Sequence, residues 1–190
     1  MAQAAKGRAP SRVGRKPQRH LSGTWHCLSK SVADTDRLGR RIGRSLQGGE
    51  TVALYGELGS GKTALVRGMA AGLGASPQAV SSPTFVLIHE YHGRVRLAHA
   101  DLYRLQSRTE LPHLGLSDYD DGRTVTVIEW ADKAGDELPT DRLEIHLQHR
   151  SPNVRAIAVT PQGTQARRLL ARVRRQRLSG RTAGQRRQAS

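Results

Sequence analysis

Apolar positions along this chain switch between a period of two and a period near 3.6, and the switches predict an α/β domain. Thr24-Trp25-His26-Cys27-Leu28 reads as a short strand. Leu38, Ile42 and Leu46 then recur at helical spacing, behind Asp34 and Thr35, either of which can cap the start of a helix. Gln47-Gly48-Gly49-Glu50 stops that helix and leads into the apolar run Thr51-Val52-Ala53-Leu54-Tyr55, a strand. A second helix is predicted from residue 64 to 71. Residues 85–91 and 94–100 read as two strands joined at His92-Gly93, which predicts an antiparallel hairpin. A helix-and-loop stretch near 107–121, a strand over 124–129 and two late strands over 143–149 and 155–160 complete a mixed sheet with helices packed on it.

The charge distribution changes the picture at the two ends. The net charge is +15, yet residues 1–20 hold six basic residues and no acid, and residues 164–190 hold nine and no acid, so residues 21–163 are formally neutral. Such tails cannot bury enough surface to offset chain entropy, which predicts disorder for residues 1–22 and for the end of the chain. Leu169, Leu170 and Val173 are an exception, and predict a basic amphipathic helix over 164–176. The expected division is therefore a basic tail (1–22), one nucleotide-binding domain (23–163), and a basic helix with a second tail (164–190). The tails suit either a weak, salt-dependent attraction to RNA or no specific role. The single cysteine, Cys27, excludes an internal disulfide and a cysteine-based metal cluster. No apolar run is long enough to span a membrane, which together with Cys27 points to a cytoplasmic protein; an arginine-rich, acid-free N-terminus also has the composition of an organelle transit peptide.

The chemistry is concentrated after the strand at 51–55. Gly56-Glu57-Leu58-Gly59-Ser60-Gly61-Lys62-Thr63 has the G-x-x-x-x-G-K-[ST] spacing of a phosphate-binding loop. Glycines let successive backbone N–H groups turn inward around a phosphate, Lys62 reaches the β/γ oxygens, and Thr63 offers a hydroxyl to Mg²⁺. Ala64 opens a helix whose positive end faces the phosphates. Residues 57–64 are therefore the expected nucleotide contacts. Thr84, in Ser81-Ser82-Pro83-Thr84-Phe85, is either a switch threonine sensing the γ-phosphate or the cap of the following strand. Asp101 and Glu129 both end strands, where such enzymes need one acid for Mg²⁺ and one group to orient water. Glu129 follows the more apolar strand and is the expected Mg²⁺ acid, leaving Asp101 for water or the outer metal shell; the reverse division uses the same residues. His99, Tyr103 and Arg104 accompany Asp101, and Trp130 follows Glu129. At 4% aromatic content, Tyr103 and Trp130 have core packing as their ordinary use. No arginine finger stands out, which predicts slow hydrolysis by the chain alone.

Taken in order, residues 56–63, Ser82-Pro83-Thr84-Phe85, His99-Ala100-Asp101-Leu102-Tyr103-Arg104-Leu105 and Ile128-Glu129-Trp130-Ala131 resemble the TsaE family, over about residues 25–160. The H-x-D-x-Y-R and E-W elements discriminate, because the phosphate loop alone occurs in many families. The resemblance implies a P-loop NTPase fold with parallel core strands flanked by antiparallel ones and helices on both faces. It implies an ATP- and Mg²⁺-dependent hydrolase that works with TsaB and TsaD in forming threonylcarbamoyladenosine at position 37 of tRNAs reading ANN codons, resetting that pair between turnovers. On this reading Lys62 and Thr63 serve phosphate and metal, Thr84 the switch, Asp101 and Glu129 the acidic roles, and Trp130 a function-sensitive aromatic role at the nucleotide. Contact with tRNA is expected to be indirect, or through the basic tails, with no membrane partner. The alternative is a phosphotransferase using the same loop, but residues 64–160 contain no arginine-rich lid.

Overall fold

A computed structural model describes residues 23–76 and 88–176, which form one seven-stranded sheet. In chain order the elements are β1 (Trp25–Ser29), α1 (Val32–Ser45), β2 (Thr51–Tyr55), α2 (Lys62–Gly72), β3 (Ile88–His92), β4 (Arg96–Asp101), β5 (Val125–Glu129), β6 (Arg142–Ser151), β7 (Val154–Gln162) and α3 (Gly163–Arg175). The strand order is β1-β7-β6-β2-β5-β4-β3. Strands β6, β2, β5 and β4 run parallel; on one side β7 runs antiparallel to β6 and β1 antiparallel to β7, and on the other β3 runs antiparallel to β4.

Alternation along the strands sends one set of side chains to each face. Val52, Leu54, Leu97, Val125, Val127 and Ile145 meet Ile42, Leu65, Met69 and Leu169 from the three α-helices in one core. On the other face Ala53, Ala100 and Ile128 pack under Leu102 and Leu111 of short 3-10 turns and under Leu105 and Leu138, which each close one. Both faces are thus covered by helical structure, but only one by α-helix. The stretch near 107–121 is two 3-10 segments, Arg108–Leu114 and Leu116–Tyr119, because Pro112 removes a donor inside the first and Gly115, at φ 70°, separates them.

Helix α1 starts earlier than the expected caps Asp34 and Thr35. Ser31 is the N-cap and its hydroxyl accepts from the Asp34 N–H (3.1 Å), while Asp34 occupies the first turn and takes the Lys30 N–H (2.9 Å). Helices α1 and α2 cross closely through glycines: a Cβ on Gly39 or Gly43 would overlap the Leu65 or Met69 carbonyl, and one on Gly68 or Gly72 the Asp36 or Arg40 carbonyl. The basic helix expected over 164–176 is α3, and it lies against the core with Ala166, Leu169, Leu170 and Val173 buried. Arg172 ties it down by donating to the Ser45 carbonyl (2.8 Å) and to the buried carboxylate of Glu50.

Candidate nucleotide site

The loop after β2 is shaped by three glycines. Gly59 and Gly61 sit at φ 75° and 103°, which side-chain-bearing residues rarely adopt. Gly56 has φ 144°, and a Cβ there would overlap the Leu147 carbonyl of β6. Helix α2 then begins with no side-chain cap and no acid in its first turn, so its leading N–H groups and positive end are offered to an anion. The Ser60 hydroxyl is buried without a hydrogen-bond partner beside them. An orphaned donor, uncapped amides and a glycine-shaped turn are the features a phosphate cradle requires.

Lys62 lies across this loop, only 4% exposed. Its Nζ donates to the carbonyls of Gly56 (2.6 Å) and Glu57 (3.1 Å) and stands 3.7 Å from the centroid of the Trp130 ring. Burial pushes its pKa down, and the charges of Glu129, Asp101 and Asp132 oppose that shift. Trp130 is the one non-glycine residue at positive φ among the described residues (57°), a conformation that costs roughly 1–3 kcal/mol and that brings the indole from the end of β5 against the lysine. The indole also packs against the second core and lies beside Tyr103, with ring centroids 5.1 Å apart.

Strand pairing delivers the acids. Asp101 pairs with Glu129 across β4 and β5, and Glu129 pairs with Leu54 of β2, two residues before Gly56. Alternation puts His99, Asp101 and Glu129 on the face that carries α2. Glu129, 2% exposed, uses both oxygens: Oε2 accepts from the Thr63 hydroxyl (3.1 Å) and Oε1 from His99 Nε2 (2.9 Å). His99 is fully buried and its Nδ1 has no partner. Asp101, also buried, accepts the Tyr103 N–H at Oδ1 (2.9 Å). Among the described residues no cluster of three metal-type ligands occurs, and Mg²⁺ held with a triphosphate needs only one or two protein oxygens, a number that Thr63 and Glu129 can supply.

Lys62, Thr63, Asp101, Glu129 and Trp130 therefore surround one loop, with Glu57, Leu58, Gly59, Ser60, Gly61 and Ala64 forming its turn and the start of α2. The Leu58 side chain is exposed. Thr84 lies outside the described residues. Two contacts escape sequence reading. His99 stands out there only as a companion of Asp101, and its bond to Glu129 depends on strand register. Arg155 of β7 donates to the loop carbonyls of Gly59 (3.3 Å) and Ser60 (3.4 Å) and to Pro152 (2.7 Å). No local signal marks it, because only the folded sheet brings β7 beside the loop.

Residues 29–157 match the family described as "Threonylcarbamoyl adenosine biosynthesis protein TsaE". The chain belongs to the TsaE family. The tRNA threonylcarbamoyladenosine biosynthesis protein TsaE of Treponema pallidum is 41% identical over 70% of this chain and 98% of its own length. The Bacillus subtilis TsaE is 40% identical over 60% and 72%, and that of Mycobacterium tuberculosis 33% over 77% and 93%. The crystal structure of Bacillus subtilis YdiB superposes with a TM-score of 0.68 at 28% identity, covering 82% of this chain and 97% of that one. With the observed sheet, this supports a fold of the P-loop NTPase kind. The TsaE match contains every site residue from Gly56 to Arg155, whereas α3 falls beyond it. Among the described residues no helix is long and apolar enough to cross a membrane.

Proposed function

We propose that this TsaE chain binds ATP with Mg²⁺ at residues 56–63 and hydrolyses it, serving threonylcarbamoylation of adenosine 37 in tRNAs that read ANN codons by resetting a TsaB–TsaD pair between turnovers. The observation that carries this reading is Glu129 at the mouth of the cradle, joined to Thr63 on one oxygen and His99 on the other.

The loop amides and the α2 N-terminus would hold the phosphates, and Lys62 would give its ammonium to the β/γ oxygens in place of the carbonyls it now meets. Thr63 and Glu129 would hold Mg²⁺, which when bound neutralises charge on the β/γ oxygens. His99 fixes the Glu129 carboxylate, and Asp101, at the adjacent strand tip, would orient the attacking water. Arg155 touches the loop only at backbone carbonyls, so the positive group that completes the site is expected from a partner, and turnover by the chain alone should be slow.

ATP turnover measured with and without TsaB and TsaD tests this. Turnover should rise with the partners and vanish in Lys62→Ala under both conditions; undiminished turnover in that variant would overturn the reading.

A further inference from the structure

Helix α3 separates its residues by chemistry. Ala166, Leu169, Leu170 and Val173 are buried, while Thr164, Arg167, Arg168 and Arg175 are exposed. At 1.5 Å per residue these arginines span roughly 10–12 Å along the axis. Arg175 bonds only a carbonyl of its own helix, Ala171 (3.2 Å), and none of the three has a carboxylate within ion-pair distance among the described residues. Asp141 sits at the N-terminal end of the helix, where its carboxylate accepts the N–H groups of Gln165 and Ala166 (both 2.8 Å). At the C-terminal end of α3, Gln176 bonds Ser45 of α1 (2.9 Å), whose neighbour Arg44 is exposed.

We propose that this face of α3 is a docking surface for the phosphodiester backbone of a folded RNA. Three observations select that occupant. All nine basic residues of 164–190 are arginine, whose planar fork suits paired phosphate oxygens better than a lysine point charge does. The apolar side of the helix is already used in the core, so nothing remains to insert into a bilayer, which a membrane-surface helix needs. The rest of the chain's excess charge flanks this helix in sequence or lies in residues 1–20, outside the neutral segment that carries the nucleotide loop. This surface is separate from the loop, and the proposal stands whether or not ATP is hydrolysed there.

Fluorescence anisotropy of a labelled tRNA transcript against the full chain, over a salt series, tests it. Replacing Arg167, Arg168 and Arg175 together by Gln should weaken binding about tenfold or more and lower the slope of log affinity on log salt by about 2, at roughly 0.7–0.9 per lost phosphate contact. The matching Arg→Lys triple variant should keep the slope, because charge is retained. ATP turnover should be unchanged in both. Unaltered affinity and slope in the Gln variant would overturn the proposal, as would equal slope loss in the Lys variant. So would a wild-type chain that binds anionic phosphatidylserine vesicles but not tRNA.

Discussion

At the scale of single residues, the site turns on how one carboxylate is held. Glu129 is fixed by a hydroxyl and an imidazole, whereas Asp101 takes a backbone N–H beyond its own strand. Glu129→Gln is therefore expected to weaken Mg²⁺-dependent ATP binding more than Asp101→Asn does; calorimetry giving equal Mg²⁺ affinities for the two would remove this assignment of roles. If Glu129 holds Mg²⁺ as proposed, His99, bonded to its other oxygen, is a positioning residue. Groups in that relation to a metal ligand typically contribute about 10–100-fold in affinity or activity. His99→Ala should lose turnover within that range, and His99→Gln, which can still donate to the carboxylate, should recover part of it at unchanged thermal stability. A histidine that merely fills the core would instead show loss of melting temperature in step with loss of rate.

At the scale of elements, the loop is held in place by what packs behind α2. The glycine faces of α1 and α2 bring backbone against backbone, so Gly43→Ala or Gly68→Ala inserts a methyl where the Met69 or Asp36 carbonyl stands. Overpacking of this kind costs typically 1–3 kcal/mol, and a thermal melt should fall by about 2–4 °C per kcal/mol for a domain of this size. The spacings Gly39-x-x-x-Gly43 and Gly68-x-x-x-Gly72 are visible in the sequence, but periodicity cannot say that the two faces meet each other. The phosphate loop was legible because its chemistry is local: eight consecutive residues carry it. Strand β5 and the β3–β4 hairpin were legible from alternation and turn residues. The caps of α1 and the 3-10 segments around Pro112 were less so, since competing polar residues and one proline decide them within a turn.

At the scale of the whole molecule, the part that carries the phosphate loop and the part that carries excess charge are separate along the chain. Deleting residues 1–20 and 177–190 should leave ATP turnover nearly intact, because the site and its supporting strands lie within the neutral segment and α3 is kept. A large fall in kcat on deletion would show that the tails take part in the reaction. The pairing partners of each strand were what the sequence concealed: alternation identifies strands but not their neighbours, and Arg155 reaches the loop only through that arrangement. The same arrangement has a consequence for synthesis. Strand β2, which launches the loop, is flanked by β5 and β6, and β1 is paired with β7, so the two earliest strands find their strand partners only among later ones. As the chain leaves the ribosome, the strands that flank the phosphate loop therefore follow it late in synthesis, and pairing across the sheet is long-range in sequence.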